Sequence, residues 1–83
     1  MLGGMNLPPF DQQRACLAAN LRKLRLRMGI SQERLALEAD IDRTFISQIE
    51  RGIGNPSLRI LCQIAEQLET DVCTLLKPPR KTR

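Results

Sequence analysis

A chain of 83 residues suits one domain, and an all-helical bundle is the easiest way to close a core of that size. Aromatic residues make up 2% and there is no Trp, Tyr or His, so the core must be aliphatic, and the commonest general base and zinc ligand are both missing, which argues against an enzyme or a metal centre. The net charge of +4 is unevenly spread: residues 1–30 carry five cations against Asp11, residues 31–76 four arginines against eight acids, and residues 77–83 four cations with no acid, so the two ends suit a polyanionic partner.

The start, "MLGGMNLPPF", lacks the basic lead and apolar stretch of a secretory signal, and Met5 is as good a start as Met1. Residues 1–10 are expected to form a flexible arm, residues 11–76 the folded domain and residues 77–83 a basic disordered tail, because the Pro pairs at 8–9 and 78–79 disfavour helix on either side. Leu17, Leu21, Leu24 and Met28 form one apolar stripe and predict a first helix over about 11–28, with Gly29 as a left-handed cap. Its wet side carries Arg22, Lys23 and Arg27, which are either solvated or in contact with a phosphate. Ser31 caps a short second helix, 32–39, with Leu35, Ala36 and Ala39 inside. Asp40 stops it, Asp42 caps a third helix that runs to Gly52, and "IGNP" leads to Ser57. A fourth helix, about 58–68, is expected to bury Leu58, Leu61, Ile64, Ala65 and Leu68, and a fifth, about 71–76, to contribute Val72, Leu75 and Leu76. The expectation is five helices and no strand. Cys16, Cys62 and Cys73 are too few and too widely spaced for a disulfide framework or a zinc site, and read as mostly buried thiols of a reducing cytoplasm.

On a wheel of about 100° per residue, Phe45, Ile46 and Ile49 of the third helix fall together as an apolar side. Arg43, Thr44, Ser47, Gln48 and Arg51 fall together as a polar side without a carboxylate, although the surrounding region is acid-rich. Glu50 lies on the boundary and needs a partner if it is buried. Such a face suits an ordinary wet helix, but Arg, Thr, Ser and Gln are also the types that pair with base edges in a major groove. The second and third helices and the turn between them have the helix-turn-helix arrangement.

The segments "SQERLA", Ile41, "FISQIERG", "NPSL" and "IAEQL" resemble the lambda-repressor/Cro-like helix-turn-helix family, often called the XRE family, over residues 14–76. "DRTFISQIERG" is especially similar to the controller proteins of restriction–modification systems. The resemblance implies an all-α, five-helix bundle of the lambda-repressor-like DNA-binding type. By position it assigns base contacts to Arg43, Thr44 and Gln48, with Ser47 as a fourth. It assigns phosphate contacts to Gln32, Arg51 and Asn55, and a partly buried ion pair to Arg25 and Glu50. Four positions depart from the family pattern: Asp40 stands for a turn Gly, Asp42 for a Ser or Thr near the DNA backbone, and Glu69 and Thr70 for a Gly and an apolar residue before the fifth helix.

The function implied is sequence-specific regulation of transcription by a cytoplasmic homodimer on a palindromic duplex operator. No cofactor, metal, membrane or small-molecule ligand is expected. The fourth and fifth helices are expected to form the dimer surface, with Ile60, Val72 and Leu76 as surplus apolar residues. Loss of Arg43 should cost discrimination at one base pair, and loss of Gln32 should weaken all DNA sites alike. The competing reading is an antitoxin on the same fold, for which the short basic tail is the only toxin-binding segment the sequence offers.

Overall fold

A computed structural model describes residues 9–79. Five helices follow in order: α1 (Phe10–Arg27), α2 (Gln32–Ala39), α3 (Arg43–Glu50), α4 (Leu58–Gln67) and α5 (Val72–Leu76), with no strand among the described residues. The expected arm and tail lie outside those residues, apart from Pro9 and Phe10 at one end and residues 77–79 at the other. Phe10 belongs to α1, whose two ends each come one residue earlier than the stripe predicted.

The starts of the last four helices follow from short polar side chains that take an otherwise unpaired backbone N–H. Ser31 accepts from Arg34, Asp42 from Thr44, Ser57 from Ile60 and Asp71 from Thr74. After α1, Gly29 adopts φ +70°, the left-handed geometry expected of it. Gly54 is needed for a different reason: a Cβ there would sit 2.9 Å from the Ile49 backbone nitrogen, so the loop after α3 lies directly against that helix.

Every helix contributes to one core. Leu21, Leu35, Ile46, Ile49, Ile64 and Leu75 are its most deeply buried large side chains. α1 packs on α3 and α5, α2 on α3 and α4, and α4 on α5. Three expectations about burial need correction. Leu58 is 68% exposed, because it opens α4 and precedes the first turn that meets the core. Met28 is 42% exposed, because the helix ends at Arg27 and the chain turns away before the stripe closes. Cys62 and Cys73 are exposed and Cys16 is intermediate, so the thiols are not mostly buried: Cys62 is one step past Leu61, which takes the inward position on α4, and Cys73 is outside the Leu75 face of α5. Ile60, Val72 and Leu76 are half-buried against the core, leaving less apolar surface spare than expected.

Candidate nucleic-acid interface

The turn between α2 and α3 fixes how α3 projects. Asp40 takes the left-handed conformation, φ 59° and ψ 48°, and the Ile41 N–H reaches back to the Ala36 carbonyl at 2.9 Å. Ile41 packs against the core, and Asp42 then caps α3 through a 2.7 Å bond from the Thr44 N–H. From α4, the Gln63 amide donates to the Ala39 carbonyl at 2.9 Å and holds the end of α2 in place. Ile46 and Ile49 are buried and Phe45 half-buried, so the apolar side of α3 lies where the wheel put it.

The side chains named from the sequence divide by exposure. Arg43 and Thr44 are exposed at the amino-terminal end of α3, while Ser47 and Gln48 are half-buried along it. The Gln48 carbonyl accepts the N–H groups of Ile53 and Gly54 at 3.1 and 3.0 Å, which fastens the following loop to this helix. Arg51 is exposed just beyond the helix. Asn55 is exposed and lines a cleft of about 100 Å³ with Phe10, Arg14, Leu17 and Pro56; among the described residues no hydrogen bond ties it to Gln32 or Arg51.

The ion pair inferred for Arg25 and Glu50 is formed. Arg25 Nε donates to Glu50 Oε2 at 2.6 Å and Nη2 to Oε1 at 3.0 Å, with the side chains 10% and 2% exposed. Burial pushes the Glu50 carboxyl up, but the bonds from Arg25 and Gln32 outweigh it and hold the carboxyl below the usual carboxylate range. The bond that Arg25 donates to Glu50 outweighs the opposing effect of burial and leaves the guanidinium with its pKa raised.

Besides the Gln63 bond, two features escaped the sequence. Gln32, expected to face a phosphate, donates from Nε2 to Glu50 Oε1 at 3.0 Å. Its place as the first residue of a short helix gives no hint of this, because the contact spans 18 residues of chain. Asn20 is buried on α1 and donates to the Leu75 and Lys77 carbonyls at 2.8 and 2.7 Å, closing the end of α5. Its position between Leu17 and Leu24 on the apolar side was a signal that it would be buried and need partners.

The electrostatics of the two helix starts differ. α3 opens on the carboxylate of Asp42, whereas α2 opens on the neutral hydroxyl of Ser31, with Glu33 exposed in its first turn. A free helix amino terminus attracts anions, and the one at α2 is not already occupied by a charged cap.

A helix-turn-helix family model matches residues 21–75. A hypothetical transcription factor of Neisseria meningitidis is 39% identical over 75 residues, which cover 90% of this chain and 71% of that protein. The crystal structure of the Neisseria factor superposes with a TM-score of 0.79 over 90% of this chain and 86% of that one. The restriction-modification controller protein C.AhdI of Aeromonas hydrophila is 33% identical, with a TM-score of 0.74 over 77% of this chain and 97% of its own. A variant of the controller protein C.Esp1396I, solved bound to its highest-affinity operator site, is 32% identical with a TM-score of 0.67 over 84% and 100% of the two chains. The chain belongs to the XRE-type helix-turn-helix family of DNA-binding regulators and has the lambda-repressor-like fold.

Proposed function

We propose that this protein is a transcription regulator that binds duplex DNA sequence-specifically as a homodimer, with α3 in the major groove. The observation that carries the reading is the outward side of α3: Arg43, Thr44, Ser47 and Gln48 with no carboxylate among them, on a segment where acids outnumber cations two to one. Acids there would repel phosphates, and these four residue types match base edges. Gln32 and the α2 amino terminus, with Arg51 and Asn55, then serve the backbone. The C.Esp1396I variant solved on its operator shows that a relative with this fold binds DNA, and the regulators and controllers among the relatives favour a promoter-bound regulator over an antitoxin.

Dimerisation follows from magnitude. Each good base contact discriminates by about 1–3 kcal/mol, and one helix offers only a few. Two copies reading half-sites about 34 Å apart double that discrimination. α4 and α5 carry the surface for it: Leu58, Cys62 and Cys73 are exposed there, beside the half-buried Ile60, Val72 and Leu76. The protein works in the cytoplasm as a binding module and not as an enzyme; no helix of the described residues is long and apolar enough to cross a membrane.

Selection of bound sequences from random duplex DNA tests the whole reading. A two-fold symmetric motif is expected, and recovery of no motif refutes sequence-specific binding. On the selected site, Arg43→Ala should lose about 1–3 kcal/mol at one base pair of each half-site. Equal losses on selected and random duplexes would show that Arg43 does not read a base.

A further inference from the structure

Three helices share the single carboxylate of Glu50. Arg25 of α1 holds both its oxygens, Gln32 of α2 adds a third bond, and Glu50 itself is the last residue of α3. Arg25 Nη1 also donates to the Ile30 carbonyl at 2.8 Å, which draws the α1–α2 turn into the same cluster. The Glu50 side chain is almost fully buried, so water is a poor replacement for any of these donors. Gln32 differs from Arg25 in its placement. It is half-buried and opens α2, and beyond its one bond to Glu50 its amide retains a second N–H and a carbonyl oxygen.

We infer that Gln32 is a positioning residue for α3: through Glu50 its amide fixes the amino-terminal end of α2 to the carboxy-terminal end of α3, so that a phosphate held at α2 and the bases faced by α3 are engaged together. The inference rests on the function proposed above. Glu50 Oε1 receives Arg25 and Gln32 from two different helices, at 3.0 Å each. Without Gln32 the carboxylate is held by α1 alone, and nothing polar at Glu50 ties α2 to α3. A bond to a charged group in such a site corresponds to a factor of about ten or more. The expectation that loss of Gln32 weakens all sites alike is therefore revised, because its loss should also blur discrimination.

Gln32→Met tests this, since it retains the length of the side chain and removes the donor. In the free protein, the carboxyl carbon of Glu50 followed by NMR should titrate at higher pH in Gln32→Met than in the wild type. No movement overturns the inference. On DNA, the ratio of affinities for a selected and a random duplex should fall about tenfold, beyond any loss common to both. An equal loss on the two duplexes also overturns it and leaves Gln32 as a phosphate contact only. Gln32→Asn, which retains an amide but falls short of Glu50, should behave as Gln32→Met in both measurements and serves if the latter folds poorly. A wild type that binds all duplexes alike overturns the proposed function itself, whereas the Glu50 titration reports on Gln32 without any DNA.

Discussion

The turn from α2 to α3 and the turn from α4 to α5 are built on one plan. In each, an acidic residue takes the left-handed conformation, Asp40 at φ 59° and Glu69 at φ 58°. The next N–H reaches back five residues, Ile41 to Ala36 and Thr70 to Ala65, at 2.9 Å in both. An aspartate then caps the following helix, Asp42 from the Thr44 N–H and Asp71 from the Thr74 N–H, at 2.7 Å in both. The helices that follow are nonetheless unlike. α3 has eight residues and turns Arg43 and Thr44 outward, while α5 has five and its closing carbonyls are taken by Asn20 and Gln13 of α1. Equivalent turns therefore do not make equivalent sites. What sets α3 apart is its outer face and the way it is held, by an ionic cluster at its far end that leaves its first turn free.

That difference in anchoring is open to test, and the largest effect is expected at α3. Glu50→Ala leaves the Arg25 guanidinium buried without its carboxylate, which should cost about 3–5 kcal/mol in urea unfolding. The same cluster gives stability a pH dependence. The folded pKa of Glu50 lies below its unfolded value, so its contribution is complete above about pH 4.3 and is lost as pH falls through the folded value. Urea midpoints at pH 6 and pH 3 should therefore differ more for the wild type than for Glu50→Gln. An equal pH dependence in the two proteins would mean that Glu50 is not held as described.

A smaller and more local loss is expected at α5. Asn20→Ala leaves the Leu75 carbonyl without its donor in a buried setting, and the Lys77 carbonyl in a part-buried one, a cost of about 1–3 kcal/mol. Amide exchange should quicken first in α5 and the end of α1, with α3 still protected. If α3 loses protection to the same degree, the two helices are not anchored independently.

The contrast between α3 and α5 also marks how far the sequence could be read. The caps Ser31, Asp42 and Ser57 and the buried side of α3 depend on residues within one turn of each other, so spacing alone located them, whereas Asp71, placed by the sequence inside the fifth helix, is its cap. Asp40 was legible as a helix stop because aspartate tolerates the left-handed region. The Arg25–Glu50 pair came from the family resemblance, and the wheel agreed only that Glu50 needed a partner. The bonds from Gln32, Asn20 and Gln63 were not legible. Each joins residues 18 or more apart in sequence: the apolar stripe marks Asn20 as inward-facing but not the carbonyls it meets, and the amides of Gln32 and Gln63 leave no periodic trace. Leu58 was misread for a related reason: an apolar residue at the first position of a helix fits the stripe by spacing but sits above the turn that meets the core.

The smallest effects are expected from the two left-handed acids, where the equivalence of the turns is most exposed to failure. A side chain with a Cβ costs about 1–2 kcal/mol in this region, and glycine returns about 0.4–1 kcal/mol of that through the freedom it gives the unfolded chain. Glu69→Gly should therefore stabilise the protein by about 0.5–1 kcal/mol, a rise of a few degrees in melting temperature. Asp40→Gly should gain less, because the short aspartate side chain is better tolerated at positive φ than glutamate. Neither side chain is buried, so packing should not obscure the comparison. A larger gain at Asp40 would mean that the turn before α3 is the more strained of the two. The shared backbone angle would then be hiding a difference in cost, and the substitution of glycine by aspartate ahead of α3 would have to be explained by something other than tolerance.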